Sequence, residues 1–67
     1  MYGQRIRELR NERELTQHQL AQILNTTQKS ISKYETERLD LSTETIIAIC
    51  KFFEVSADYL LGLTDEY

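Results

Sequence analysis

The chain has no proline and no tryptophan, two glycines, one cysteine and one histidine among its 67 residues. So little glycine and proline cannot punctuate the many turns of a β-sandwich, and with 40% apolar residues the composition suits a compact helical domain. Cys50 has no partner for an internal disulfide, and His18 alone excludes the usual clusters of zinc ligands. No metal, cofactor or small-molecule ligand is therefore expected. No apolar run approaches the roughly 20 residues that cross a bilayer, and Met1-Tyr2-Gly3-Gln4-Arg5 lacks the apolar stretch of a signal peptide. The expected location is the cytoplasm, away from any membrane. A chain of this length forms at most one domain, here residues 1–67, and buries only about 60% of the surface it exposes when unfolded. Stability has to come from a small, well-packed core.

What the chain does have is charge, unevenly spread. A formal net charge of −3 runs against a nucleic-acid partner, because phosphate binding leaves a basic footprint. Residues 1–38, however, hold seven basic against five acidic side chains, a net +2, whereas residues 39–67 hold Lys51 against six acids, a net −5. The molecule is electrically two-ended. Charge counts alone leave open an ordinary solvated surface.

One arrangement recurs four times: a residue with an apolar group, then Ser or Thr, then an apolar residue four positions later. It is seen in Leu15-Thr16 with Leu20, Thr26-Thr27 with Ile31, Leu41-Ser42 with Ile46, and Val55-Ser56 with Leu60. Each reads as a helix start, in which the hydroxyl accepts from an unpaired backbone N–H and the flanking apolar pair closes as a staple, Thr26 offering only a methyl. Gln19, three residues after Thr16, completes a capping box. Glu44 and Asp58 put negative charge in the first turns of their helices.

Five helices follow from this grammar. The first covers about 4–13, with Ile6 and Leu9 as a narrow apolar stripe. The second covers 17–24, with Leu20, Ala21, Ile23 and Leu24 inward, and the third begins after Thr27. The fourth covers 43–53, with Ile46, Ile49, Cys50 and Phe53 at i, i+3, i+4 and i+7, and a short fifth covers 57–61 and stops at Gly62. Cys50, on the inward stripe, reads as a small buried hydrophobe rather than a reactive thiol. No run alternates as a strand does, so the predicted fold class is all-α.

Only Asn25-Thr26-Thr27 joins the second and third segments, so the two helices must cross steeply. Asn25 is one of the few non-glycine residues that tolerates the left-handed conformation such a turn needs. This is helix-turn-helix geometry. With Ile31 at the centre of the buried side and about 100° per residue, Tyr34 falls about 60° away, while Lys29 and Lys33 fall about 160° away and face outward together. Ser32 and Thr36 lie beside them, and Gln28 projects from the first turn. Two lysines at i, i+4 repel by about 0.2–0.5 kcal/mol unless an anion lies against them.

B-form DNA supplies that anion and a groove wide enough for a helix. Gln pairs bidentately with adenine, Lys donates to guanine, and Ser or Thr reaches a phosphate or the thymine methyl. The start of the second helix, at Gln17, is a natural phosphate clamp. A solvated polar face accounts for the third helix taken alone. The tight turn, the steep crossing and the charge split together favour a nucleic-acid face.

From IRELRNERELTQHQLAQIL through TTQKSISKYE to TIIAICKFFEVSADYLLG, the chain resembles the phage-repressor and Cro-like (XRE-type) family of helix-turn-helix regulators. The match covers nearly the whole chain, with the motif at about 17–36 and a short tail at 62–67. Ala21 fills the small position where the two helices touch, and Ile31 the apolar position of the recognition helix. The resemblance implies a five-helix lambda-repressor-like DNA-binding domain whose recognition helix enters the major groove. It also implies a homodimer on a palindromic operator in double-stranded DNA, and a sequence-specific transcriptional regulator that is, by family habit, a repressor. Base-edge contacts would come from Gln28, Lys29, Lys33 and Ser32, the last at the groove wall; phosphate contacts from Gln17, Thr27, Thr36 and Arg38. Arg10 and Glu35 match an ion pair between the first and third helices. Three positions depart from the pattern: Asn25 and Glu37 stand where glycine is usual, and Leu41 where proline is common.

A catalytic function finds no support, since His18 is expected on an exposed helix face and no nucleophile, base or paired carboxylates converge on one point. The rival reading is a protein-interaction module without operator binding, because a fold does not dictate a function. Tyr59, Leu60, Leu63 and Tyr67 are candidates for such a surface. They equally suit the dimer interface that spaces two half-sites roughly 34 Å apart.

Overall fold

Each of the four hydroxyl residues singled out above begins a helix. In the computed structural model, which describes residues 1–67, α1 spans Tyr2–Glu12, α2 Gln17–Ile23, α3 Gln28–Glu35, α4 Thr43–Phe53 and α5 Ala57–Leu60. Thr16, Thr27, Ser42 and Ser56 occupy the N-cap positions of α2 to α5, and each side chain accepts from the backbone N–H three residues on. At Thr16 the capping box closes in both directions, with Gln19 N–H donating to Thr16 Oγ1 at 3.0 Å and Thr16 N–H to Gln19 Oε1 at 2.8 Å. The fold is all-α. Helix limits differ from the sequence expectation by a residue or two: α1 starts at Tyr2, and α2 and α5 each stop one residue earlier.

The helices also end alike. In all five, an N–H donates to the carbonyl five residues back: Leu15 to Arg10 (3.0 Å), Thr26 to Ala21 (2.8 Å), Arg38 to Lys33 (2.8 Å), Val55 to Cys50 (3.1 Å) and Leu63 to Asp58 (2.8 Å). This closure satisfies an otherwise unpaired carbonyl and needs a left-handed residue just before the donor. Glycine fills that place only at Gly62, with φ 85°; Glu14, Asn25, Glu37 and Glu54 adopt φ between 55° and 59°. An ordinary L-residue there costs roughly 1–2 kcal/mol, so the ends at Glu14, Glu37 and Glu54 carry strain, while Asn25 tolerates the conformation.

Ten residues form the core: Ile6, Leu9, Leu20, Ala21, Ile31, Ile49, Phe53, Val55, Tyr59 and Leu60. Ala21 is small enough to let α2 and α3 cross closely and is 2% exposed. Ile23, expected inward, is instead 43% exposed. The buried side of α2 centres between Leu20 and Ala21, and Ile23 lies about 110° from that centre, whereas Gln17 lies almost on it. Cys50 is half-buried against the core, and burial pushes its thiol pKa up, which keeps it protonated. Arg13 ties two helix ends together. Its guanidinium donates to the carbonyls of Phe52 (3.4 Å) and Phe53 (3.3 Å), placing a cation at the negative end of the α4 dipole. No helix is long and apolar enough to cross a membrane, and no group of three or more His, Cys, Asp or Glu residues gathers to hold a metal ion.

Tyr59 and Leu60, expected on an interaction surface, belong to the core: Leu60 is fully buried and Tyr59 is 8% exposed. A helix of four residues has only one side to offer, and α5 turns that side onto α1 and α4. The Arg5 guanidinium lies 4.2 Å from the centre of the Tyr59 ring, and the Tyr67 ring packs edge-on to it at 4.7 Å. The tail is strapped down as well. Arg5 Nη2 donates to Asp65 at 2.8 Å, Tyr67 Oη donates to the Glu12 carboxylate at 3.2 Å, and the Ser56 N–H donates to the Tyr67 carbonyl at 2.8 Å. Of the four expected surface residues, Leu63 and Tyr67 remain open to solvent, at 75% and 60%.

Candidate nucleic-acid interface

Two inward residues, Ile31 and Glu35, hold α3 against the rest of the fold, and their i, i+4 spacing puts them on one face. Ile31 is fully buried in the apolar core. Glu35 is buried too, with 1% of its side chain exposed, and a carboxylate so enclosed must be matched by donors. Arg10 of α1 supplies a two-pronged pair, Nε to Oε2 at 2.7 Å and Nη2 to Oε1 at 3.1 Å, while its Nη1 donates to the Leu15 carbonyl at 2.8 Å. Gln17 Nε2 of α2 donates to Oε1 at 3.1 Å, and the half-exposed Arg7 stands at 3.6 Å. Burial pushes the Glu35 carboxyl up, but hydrogen bonds from Arg10 and Gln17 and the charges of Arg10 and Arg7 outweigh it and hold it below the usual glutamate value. One buried anion thus joins α1, α2 and α3.

With that face fixed, Gln28, Lys29 and Lys33 are exposed on the opposite side of α3, and Ser32 is half-buried at its edge. None of the four enters the three ion pairs of the chain. The phosphate candidates are less free. Thr27 Oγ1 accepts from the Ser30 N–H and donates to Ser30 Oγ, both at 3.1 Å. Thr36 Oγ1 donates to the Ser32 carbonyl at 2.9 Å. Gln17 spends one amide hydrogen on Glu35 and keeps the other, and its own N–H and that of His18 remain at the tip of α2 once the capping box is closed. The Arg38 side chain is exposed on the loop leaving α3.

That loop carries contacts that sequence patterns miss, because their partners are more than thirty residues apart. Tyr2 Oη donates to the Leu39 carbonyl at 3.1 Å, and the Glu37 carboxylate accepts from the Gly3 N–H at 3.3 Å. Gly3 has to lack a side chain, since a Cβ there would stand 2.4 Å from the Glu35 carbonyl oxygen. The sequence pattern starts the first helix at about Gln4 and so leaves Gly3 outside it, without a signal for this close approach.

A buried anchor, a short steep turn and an outward polar helix define a helix-turn-helix domain of the lambda-repressor-like kind. Residues 3–66 match the family profile described as a helix-turn-helix domain, and the chain belongs to that family. It is similar to the uncharacterized HTH-type transcriptional regulator YobD of Bacillus subtilis, at 38% identity over 66 residues, covering 98% of this chain and 59% of that protein. It is also similar to the HTH-type transcriptional regulator ImmR of Bacillus subtilis, at 37% identity over 60 residues, covering 90% of this chain and 47% of ImmR. The chain therefore spans about half the length of these relatives. Among solved structures, the P22 c2 repressor in complex with a synthetic operator superposes with a TM-score of 0.83 at 28% identity, covering 90% of this chain and 91% of the repressor.

Proposed function

We propose that this domain is a sequence-specific DNA-binding transcriptional regulator, acting as a repressor in the cytoplasm, with α3 in the major groove of an operator. The observation that carries the reading is the division of α3: Ile31 and Glu35 are buried, and Gln28, Lys29 and Lys33 stand exposed together on the other side. Two lysines at i, i+4 favour an anionic partner, and the free N–H groups at the start of α2 favour a phosphate beside it. The likeness to a repressor bound to its synthetic operator supports the same reading. Gln28, Lys29, Lys33 and Ser32 reach base edges, while Gln17 and Arg38 hold the backbone with Thr27 and Thr36 alongside. Two copies bind a palindrome, and the exposed Leu61 and Leu63 after α5 are the apolar residues that take the place of Tyr59 and Leu60 in the dimer contact.

Selection of bound duplexes from a random pool at moderate salt tests this. The expected result is a two-fold-symmetric site whose affinity exceeds that of a scrambled duplex by about 10³-fold or more. Lys29→Ala and Lys33→Ala should each weaken binding to the selected site by about 10-fold or more with unchanged thermal unfolding, as loss of a base-edge contact worth about 1–3 kcal/mol requires. Unchanged affinity in both would remove α3 as the reading surface.

A further inference from the structure

Glu37 is an acid in an unfavourable place twice over. Its backbone is left-handed, with φ 58°, and its carboxylate follows the exposed Lys33 by about one helical turn on the loop leaving α3. Nor is that carboxylate loose. α1 has no side-chain cap of its own and no acid in its first turn, and Glu37 supplies both from 34 residues away by accepting from the Gly3 N–H. The Tyr2 hydroxyl, bound to the Leu39 carbonyl, holds the same loop from the other side. A negative charge is thereby fixed one helical turn beyond Lys33, about 6 Å along the axis of α3, where charges interact over about 10 Å at 0.1 M salt. Capping α1 accounts for an acceptor at this position. The α1 dipole favours its charge by only about 0.3–1 kcal/mol, and an amide oxygen also accepts from an N–H, so an uncharged acceptor could stand there at small cost.

We propose that Glu37 is a built-in counter-charge that holds down the affinity of this domain for the DNA backbone, so that occupancy of a site depends on reading its bases. The inference rests on the DNA reading above. Binding to a polyanion releases counterions in proportion to the positive charge brought to it, and a fixed carboxylate at the edge of the reading face cancels part of that charge. Glu37→Gln removes the charge and keeps the acceptor for Gly3. Glu54→Gln is the matched control: it makes the same change in net charge at another exposed left-handed residue, beyond the end of α4 that Arg13 binds. That end faces the C-terminus of α1, roughly 14 Å along the helix from Gly3.

Affinities of the wild type, Glu37→Gln and Glu54→Gln for the selected operator and for a scrambled duplex should be measured from about 50 to 200 mM salt. The expected result for Glu37→Gln is tighter binding to both duplexes. Its plot of log affinity against log salt should be steeper by about 0.9, so that the gain shrinks about threefold over that range, with Glu54→Gln following the wild type. Glu37→Asn, which suits left-handed backbone, should behave in the same way and guards against a peculiarity of one variant. Unchanged or weaker binding by both neutral variants, with the wild type still selecting an operator, overturns the counter-charge and leaves the DNA reading standing. An equal gain in Glu54→Gln overturns it as well, because net charge alone would then explain the effect. Failure of every protein to bind any duplex overturns the DNA reading and this inference with it.

Discussion

Removing one partner of the Arg10–Glu35 pair should damage the domain more than removing both. In Arg10→Met, a carboxylate with 1% of its side chain exposed loses both hydrogen bonds from Arg10, including its shortest, and keeps Gln17 at 3.1 Å and Arg7 at 3.6 Å. Breaking a buried pair from one side costs about 3–5 kcal/mol, and the remaining cation puts this case near the lower end, about 3 kcal/mol. Glu35→Leu leaves an Arg10 side chain that is 13% exposed and still bound to the Leu15 carbonyl, so its charge reaches water more easily and the cost is about 2 kcal/mol. The double variant buries no unpaired charge. It loses the hydrogen bonds to Gln17 and the Leu15 carbonyl, about 2 kcal/mol together. The singles then exceed the double by about 3 kcal/mol in sum, a coupling at the upper end of the usual range. A domain of this size is stable by only about 3–10 kcal/mol, and about 3 kcal/mol corresponds to a loss of about 12–24 °C in Tm. Urea unfolding followed by circular dichroism, with the slope m checked for constancy, measures all four corners of the cycle. Additive effects, each under about 1 kcal/mol, would refute the view that one buried anion binds three helices together.

Three further outcomes follow from the same geometry. Because the Glu35 carboxyl is held below its ordinary value when folded, its contribution is present in full above that ordinary value and is lost as pH falls through the lowered one. Urea titrations from about pH 5 downward should therefore show a steeper loss of stability in the wild type than in Glu35→Leu, and equal slopes would contradict this. Gly3→Ala should cost about 1–3 kcal/mol, because its Cβ would drive α1 away from the Glu35 carbonyl; a wild-type melting curve for this variant would show that α1 can shift freely. Glu54→Gly should raise stability by about 0.5–1 kcal/mol, the left-handed strain relieved less the backbone entropy of glycine, and a lowered Tm would argue against strain at that helix end.

The starts of the helices were legible because an N-cap is local chemistry: a hydroxyl, three residues and an N–H decide it, and Thr16, Thr27, Ser42 and Ser56 all cap as expected. The ends were harder. Glycine is the usual sign of a left-handed stop, yet Glu14, Glu37 and Glu54 stop helices here without it, and only Asn25 gave a hint. Periodicity worked where a helix was long enough to show it. It placed Ile46, Ile49 and Phe53 of α4 inward, but two turns of α2 misplaced Ile23, and the single turn of α5 could not reveal that Tyr59 and Leu60 are core. The outward set on α3 followed from one angle about Ile31. The Gly3–Glu37 and Arg5–Asp65 contacts join residues 34 and 60 positions apart, and no local pattern encodes a contact that exists only after the chain has folded.

The way α3 is fastened separates what it is from what it displays. Its cap, its apolar anchor and its buried anion sit at Thr27, Ile31 and Glu35, and none of these is among the outward trio Gln28, Lys29 and Lys33. Gln28, Lys29 and Lys33 are consequently free to vary without repacking anything beneath them; on the proposed reading, a lineage of such domains could change its target by three substitutions while its folding stability stays where it was. A library randomised at those three codons should yield mostly folded proteins, with diversity concentrated in what they recognise.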